Sequence, residues 1–204
     1  MPRVSDAKQK LMVAARDLIW ESSYGATSVD DICVKADVRK GSFYHFFKSK
    51  SDLEIAALEA DWQEKKAHYN DIFSPTVPPL QRLSDYFDLL LAKQTERQKA
   101  CGAILGCPFC AVGTEVSLLD AGIREKVHDI LGRLAKYFES AIRDAHAQGV
   151  INAPDARAKA NLLIAYFQGT MAQARIENNL ERIAGMKAGA FELLGVQPAQ
   201  LAGV

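Results

Sequence analysis

Hydrophobic residues recur at helical spacing along nearly the whole chain, and no stretch alternates between apolar and polar positions as a half-buried strand does. The first stripe predicts a helix from about Asp6 to Ser23, and Gly25 follows it as a stop signal. Its apolar members are Leu11, Ala14, Ala15, Leu18 and Ile19. The pattern as a whole therefore predicts an all-α fold.

The next two helical patterns are short and close together. One runs from about Ser28 to Ala36, with Thr27 and Ser28 as candidates for its N-cap, and its apolar positions lie on a single face. The other runs from Arg39 to Phe47 and ends in a cluster of aromatic residues, of which Phe43 and Phe47 are expected to pack in a small core. Two helices joined by so short a turn form a helix-turn-helix unit, whose second helix can enter the major groove of DNA.

Six more helices bring the predicted total to about nine. The fourth begins at Ser51, because Glu54 follows at the spacing of a capping box. Asp120 and Asp155 are predicted to cap two of the later helices. The approximate bounds of the six are 51–69, 79–98, 108–119, 121–148, 155–174 and 180–194. The tail from Gln197 to Val204 has no pattern and is predicted to be frayed.

The helix predicted near the carboxyl end is apolar on almost every side from Ala158 to Ala174. A helix without a polar face must be covered all round, and a second subunit is the natural cover for the side that its own core does not reach. The last two helices of each chain could then form a four-helix interface in a homodimer. The alternative is a monomer in which this helix is unusually buried.

Composition describes a soluble globular protein of one or two domains, with 204 residues, 49% hydrophobic and 25% charged. The formal net charge is zero, yet the segment from Lys35 to Lys50 holds five bases against one acid, a local balance of +4. Phosphate binding needs only local positive charge, so global neutrality does not argue against a nucleic-acid partner. The alternative is that these charges are simply a solvated face.

Targeting signals are not evident in the sequence. No apolar run approaches the roughly 20 residues of a membrane span, and the first residues lack the apolar core of a signal peptide. We therefore expect a cytoplasmic protein without membrane association. The four cysteines are then expected to be reduced and not to form a disulfide framework.

The segment from Thr27 to Glu54 resembles the DNA-binding domain of TetR-family transcriptional regulators. The matching motifs are the capping Thr27, the sequence GSFY at 41–44, FKSK at 47–50 and SDLE at 51–54. Two positions depart from the usual pattern, namely Asp37, where many members have Gly, and Phe43, where Leu is common. The resemblance is close from Leu11 to Leu53 and rests on helical pattern alone beyond that.

The resemblance implies a ligand-responsive regulator, most often a repressor, that binds a palindromic operator in double-stranded DNA as a homodimer and is released by a small-molecule effector. It implies a three-helix DNA-binding domain over 1–52 and a larger helical domain for effector binding and dimerisation over 53–204. Neither enzymatic activity nor a cofactor or metal is expected. Thr27, Tyr44 and Lys50 would hold phosphates, and residues 39–45 would contact base edges. The full predicted DNA-binding set is Thr27, Arg39, Lys40, Gly41, Ser42, Tyr44, His45 and Lys50.

An effector pocket is implied among the middle helices. Its predicted lining is largely apolar and aromatic, which suggests an apolar or aromatic ligand. The alternative is that these residues only pack the core. The predicted lining residues are Trp62, Tyr69, Phe87, Leu91, Cys107, Phe109, Leu131, Phe138, Tyr166 and Met171, with Glu115 and Arg175 as polar groups for a charged ligand.

Cys107 and Cys110 form a CxxC motif, and Cys101 lies six residues before it. These thiols can be small buried hydrophobes, or a redox or electrophile sensor in which Cys107 gains a reactive thiolate at a helix N-terminus. A structural zinc site needs four ligands, and no second pair is nearby. A thiol oxidoreductase is a further alternative, although the sequence lacks the βαβ pattern that usually carries a CxxC motif.

Overall fold

The computed structural model describes residues 4–196, and the predicted frayed tail lies outside this range. The described residues form α-helices and contain no strand. Ten helical segments follow one another: α1 (Val4–Glu21), α2 (Val29–Ala36), α3 (Lys40–Phe46), α4 (Lys50–Ile72), α5 (Pro79–Cys101), α6 (Pro108–Val116), α7 (Ala121–Ala147), α8 (Ala156–Glu177), α9 (Glu181–Ala184) and α10 (Met186–Leu194). Since α9 is a single turn, the prediction of an all-α fold with about nine helices is confirmed.

Most helix ends follow the predicted local signals. Ser28 caps α2 in a capping box with Asp31, whose carboxylate accepts from the Ser28 backbone amide at 2.8 Å. Asp120 accepts from the amide of Ile123 at the start of α7, and Asp155 accepts from the amide of Ala158 at the start of α8, both at 2.9 Å. These caps satisfy amides that the first turn of a helix leaves without partners.

Three features of the predicted helices are wrong, namely one start, one end and one undivided helix. The start of α4 is at Lys50, where Ser49 accepts from the amide of Asp52 at 3.0 Å, so the capping box assigned to Ser51 and Glu54 does not form. The same serine-to-acid spacing occurs two residues earlier and is the one used. Helix α6 ends at Val116 instead of near residue 119, and the predicted last helix is divided at Gly185 into α9 and α10.

The helices fall into two compact units. Unit 1 contains the described residues up to Lys65 together with Pro108–Leu131, and unit 2 contains Lys66–Cys107 together with the described residues from Gly132 onward. None of the described helices is long and apolar enough to span a bilayer. The domain boundary predicted between residues 52 and 53 stays a prediction.

The core of unit 1 forms where α1 packs against α2 and α3. Each of the three helices contributes a fully buried side chain, namely Leu11, Ile32 and Phe43. Phe47 is also buried. The aromatic residues at positions 43 and 47 are thus part of the core, as their spacing predicts, and they fix the face that α3 turns away from solvent.

The core of unit 2 contains a cluster of aromatic rings contributed by α4 and the residue that follows it, and by α5, α7 and α8. The most central ring is Tyr86, which is 1% exposed and lies 5.0 Å from Phe138 between ring centroids. Edge-on and tilted arrangements of this kind add to the free energy of burial. The cluster consists of Tyr69, Phe73, Tyr86, Phe87, Tyr137, Phe138 and Phe167.

A buried arginine joins two parts of unit 2. Arg82, in the first turn of α5, is 2% exposed. Its guanidinium donates to the carbonyls of Val77 at 2.7 Å and Pro75 at 3.2 Å, and it forms an ion pair with Asp144 on α7. The sequence pattern gave no sign of this role, because an arginine in the first turn of a helix that follows a proline-rich loop is expected to lie on the surface.

Candidate nucleic-acid interface

The turn between α2 and α3 has the geometry of a helix-turn-helix motif, although it lacks the usual glycine. Asp37 adopts the left-handed conformation with φ of 51°, and its amide donates to the carbonyls of Val34 and Cys33 at the end of α2. Asp is one of the few residues other than Gly that tolerate this conformation. Arg39 follows in an extended conformation as the N-cap of α3.

Helix α3 turns one face to the core and leaves the other open. Phe43 is fully buried, whereas Arg39, Lys40 and His45 are exposed, Tyr44 is 56% exposed and Ser42 is half-buried. A side chain built at Gly41 would meet no atom within 4 Å, so the backbone at this point is open to close approach. Six of the eight residues predicted to bind DNA therefore lie together on one helix and its N-cap.

Lys40 forms an ion pair with Asp30 on the neighbouring helix α2. Its ammonium group lies 2.7 Å from the Asp30 carboxylate, and both side chains are largely exposed. The hydrogen bond and the charge of Asp30 raise the pKa of Lys40. Because both side chains are largely exposed, this ion pair adds little to the stability of the fold, and the DNA contact predicted for Lys40 stays a prediction.

Thr27 and Lys50, the other two predicted DNA contacts, are engaged within unit 1. Thr27 is 4% exposed, and its hydroxyl donates to the carbonyl of Ser23 at 2.9 Å. The Lys50 ammonium donates to the carbonyls of Tyr24 at 2.7 Å and Thr27 at 2.9 Å, and it lies 3.9 Å from the Tyr24 ring centroid. Burial lowers the pKa of Lys50. Their phosphate contacts stay a prediction from resemblance.

The predicted effector residues are divided between the two units. Trp62, Phe109, Glu115 and Leu131 belong to unit 1, and the remaining eight belong to unit 2. The structure brings three of those eight together, because Tyr69, Phe87 and Phe138 are members of the aromatic cluster. The cluster residues missed by the sequence analysis are Phe73, Tyr86, Tyr137 and Phe167, whose helical spacing is the one signal that could have found them.

The two polar groups assigned to the pocket contact backbone atoms instead of an open space. Glu115 accepts from the amides of Tyr24 and Gly25 in unit 1. Arg175 donates to the carbonyl of Leu105 at 3.0 Å in unit 2. Each therefore has a structural contact in the absence of a ligand, and a ligand role for either remains a prediction.

The loop between α5 and α6 is held from both sides by amide side chains. Gln94 donates to the carbonyl of Gly106 at 3.1 Å and accepts from its amide at 3.2 Å. Asn178 accepts from the amide of Ile104 at 2.9 Å and donates to the carbonyl of Gly102 at 3.2 Å. Gly106 has φ of 69° and lies against the carbonyl of Met171, so no other residue fits there without strain. Both amide contacts were missed by the sequence analysis.

No disulfide joins the four cysteines, and their surroundings differ widely. Cys33 and Cys107 are buried, Cys110 is half-buried and Cys101 is exposed. Burial raises the pKa of Cys33. Among the described residues, no group of three or more His, Cys, Asp and Glu side chains is placed to hold a metal ion.

A small cavity in unit 1 contains a buried carboxylate that the sequence analysis missed. Glu54 is 2% exposed, and its Oε2 atom has no hydrogen-bond partner among the described residues. Burial is the main cause that raises its pKa, to about 7, and the charges of Asp61 and Glu115 add to the effect while Lys50 opposes it. The cavity leaves about 10 Å³ for a water-sized guest and is lined by Arg16, Ile19, Trp20, Glu54, Ala57, Leu58, Asp61, Pro108 and Val112.

Two family models match the chain. Residues 11–57 match the model of bacterial regulatory proteins of the tetR family, and residues 79–188, more than half of the chain, match the model of the tetracycline repressor-like C-terminal domain. The first match contains the whole helix-turn-helix motif.

Curated relatives and solved structures agree with these matches. The transcriptional repressor DhaR of Mycobacterium sp. strain GP1 is 28% identical over 191 residues, which cover 92% of this chain and 91% of DhaR. The repressor NemR of Escherichia coli K12 is 27% identical over 184 residues, 86% of this chain and 87% of NemR. A TetR-family regulator from Agrobacterium tumefaciens has a TM-score of 0.84 at 22% identity, over 94% of this chain and 99% of that one, and shows the same fold.

Proposed function

Because the chain belongs to the TetR family of bacterial regulatory proteins and is a ligand-responsive helix-turn-helix transcriptional regulator, we propose that it represses transcription as a homodimer on a palindromic operator and is released by a small-molecule effector. The observation that carries the proposal is the exposed, basic face of α3 beside the buried Phe43. No enzymatic activity is part of the proposal.

The proposed DNA contacts divide by chemistry into two groups. Arg39 and Lys40 have the donors that suit the O6 and N7 atoms of guanine, and Gly41 lets the backbone approach the groove. Tyr44 is exposed on the same helix and can donate to a phosphate. The first group would determine operator sequence, and the second would fix the position of α3 on the duplex.

The proposed homodimer is supported by the exposed face of α8. Its residues Leu162, Ala165, Gly169, Ala172 and Ile176 are exposed and follow one another at alternating spacings of three and four, the repeat of a helix that packs against another helix. Ile176, the last member of this row, is 83% exposed, which is unusual for an isoleucine. A second copy of α8, with α10 beside it, would cover this row and pair two recognition helices for a palindromic site.

The proposed effector is apolar or aromatic, since the interior of unit 2 offers mainly aromatic rings. Tyr69, Phe87 and Phe138 lie within that cluster. Leu91 on α5 and Tyr166 on α8 are half-buried. Flat apolar molecules can insert between such rings at low cost in polar desolvation. Arg175 would be the group to pair with a negative charge on the ligand.

We expect Arg39→Ala to weaken binding to a selected duplex by about tenfold or more, because one bidentate base contact is worth that much discrimination. The duplex is obtained by selection from a random-sequence library with wild-type protein, and binding is measured by fluorescence anisotropy at several KCl concentrations. Tyr44→Phe, which removes one hydroxyl, should lose less than Tyr44→Ala. Arg157→Ala changes an exposed arginine in unit 2 and serves as the control. If both single variants, Arg39→Ala and Tyr44→Ala, bound the duplex with wild-type affinity, the proposed DNA-binding surface on α3 would be rejected.

A thiol-based signal is the second candidate. One observation favours it: Cys107 follows Gly106, both of whose backbone groups are held by Gln94, so an adduct on the buried Cys107 thiol would disturb this contact. We expect an alkylating agent to lower DNA affinity of the wild type and to have a smaller effect on Cys107→Ser. Equal loss of affinity in both proteins would rule out Cys107 as the sensor. Cys101→Ser, which removes the exposed thiol, is the matched control.

A further inference from the structure

The α1–α2 turn, residues 22–28, is held by two charged side chains from other helices of unit 1. On one side Glu115 of α6 accepts from the amide of Tyr24 at 2.9 Å and from the amide of Gly25 at 2.7 Å. On the other side Lys50 of α4 donates to the carbonyls of Tyr24 and Thr27. The Glu115 carboxylate thus accepts from two amides of the turn, and the Lys50 ammonium group donates to two of its carbonyls.

The contacts of Glu115 satisfy backbone amides that neither neighbouring helix pairs. Tyr24 and Gly25 lie between the last residue of α1, Glu21, and the N-cap of α2, Ser28, so their amides are outside the hydrogen-bonding pattern of either helix. A carboxylate that accepts from two consecutive amides forms charge-assisted hydrogen bonds with a defined direction. Gly25 permits the approach, since a Cβ atom at this position would lie 3.2 Å from Glu115 Oε1.

The position of this turn determines how the helix-turn-helix motif is presented. It joins α1, whose apolar stripe packs on α2 and α3, to the first residue of the motif. Glu115 lies within residues 79–188, which match the C-terminal family model, whereas the turn lies within residues 11–57, which match the DNA-binding model. Glu115 is therefore a direct contact from the C-terminal part of the sequence to the DNA-binding part.

We propose that Glu115 is a positioning residue for DNA binding, which holds the α1–α2 turn through the amides of Tyr24 and Gly25 while Lys50 holds its carbonyls. The inference rests on the proposed function as a DNA-binding repressor. A movement of α6 away from the turn breaks both amide contacts of Glu115 at once. The turn that connects α1 to the helix-turn-helix motif is then held less firmly. Lys50 accordingly supports DNA binding through the turn.

The sign of the effect separates this role from simple electrostatics. Glu115 carries a negative charge in the unit that binds DNA, so its removal should strengthen phosphate binding if charge alone mattered. A positioning residue predicts the opposite, a loss of affinity. Because Glu115 itself is exposed, the expected loss is moderate, about fivefold for Glu115→Ala and less for Glu115→Gln, which keeps one acceptor for the two amides.

The test uses full-length protein and the duplex selected from a random library by the wild type. Affinity is measured at several KCl concentrations for the wild type, Glu115→Ala, Glu115→Gln, Lys50→Ala and the control Glu125→Gln, which removes an exposed charge from α7 in the same unit. We expect weaker binding for Glu115→Ala, Glu115→Gln and Lys50→Ala with an unchanged salt slope, and unchanged or tighter binding for Glu125→Gln. A residue that contacts phosphate would instead lower the salt slope by about one.

Amide hydrogen exchange gives a second readout that does not depend on DNA. Exchange at Tyr24 and Gly25 should be faster in Glu115→Ala than in the wild type, while amides in the middle of α2 keep their protection. Affinity of Glu115→Ala equal to or above that of the wild type, or unchanged exchange at both amides, would overturn the inference. If the wild type binds no duplex, the proposed function fails instead, and the exchange measurement still decides whether Glu115 holds the turn.

Discussion

Arg82→Ala is expected to lower the free energy of unfolding by about 3 kcal/mol, because removal of one partner leaves the groups around a buried ion pair without compensation. Three acceptors lose a donor at once, namely the carbonyls of Pro75 and Val77 and the carboxylate of Asp144. Asp144 is 38% exposed at its side chain, so water can reach it and the cost stays at the lower end of the range for buried pairs. The midpoint of thermal unfolding should fall by about 6–12 °C for a chain of this size.

The matched control for this prediction is the neighbouring Arg143→Ala. Arg143 lies one residue before Asp144, but its side chain is 60% exposed and its ion pair with Glu139 lies on the surface of α7. Its removal should shift the midpoint by no more than a degree or two. Calorimetry or circular dichroism at a fixed heating rate measures both. Equal midpoints for Arg82→Ala and the wild type would show that Arg82 does not hold the loop before α5.

Glu54→Gln is expected to stabilise the protein at pH 8 and to remove one component of its pH dependence. The folded-state pKa of Glu54 is about 7, above the ordinary value of 4.5 that applies to the unfolded chain. Between these two values the folded state binds the extra proton, so the wild type loses stability as the pH rises from about 4.5 to 7 and stays less stable above that range. The full effect has an upper limit of roughly 3 kcal/mol.

The measurement is the unfolding midpoint in urea at intervals from pH 4.5 to 8.5. The wild type and Glu54→Gln should differ most at pH 8 and converge toward the acidic end, whereas Glu125→Gln, at an exposed site on α7, should follow the wild type throughout. Parallel curves for the wild type and Glu54→Gln would mean that the carboxyl group does not stay buried. Nearby charges that face Glu54 are Arg16, Lys50, Asp61 and Glu115, and these are left unchanged.

Much of the fold could be predicted because its signals are local. The caps at Ser28, Asp120 and Asp155 depend on residues three positions apart, and the core role of Phe43 depends on helical period. The exposed face of α3 follows from the same period, since the residues that do not face α1 must face solvent. The TetR-type motif was therefore recognisable from a quarter of the chain.

The roles of individual charged residues could not be predicted in the same way. Glu54 has the spacing of a capping residue, but Ser49 caps α4 instead. Glu54 lies buried, and one of its oxygens has no hydrogen-bond partner among the described residues. Glu115 was predicted to face a ligand, and it contacts a turn 90 residues away in the sequence. Nothing in the residues around Glu115 marks such a distant partner.

The sequence alone determined which segments are helical, where most of them begin, and that α3 carries an exposed basic face beside a buried aromatic one. Period and capping act within a few residues, so a linear reading contains the information. The tertiary structure alone decided that one side of α8 is buried and the opposite side exposed, that Arg82 holds the loop before α5, and that Lys50 and Glu115 meet on the α1–α2 turn. These features depend on which helices become neighbours, and that is settled by the packing of the whole chain.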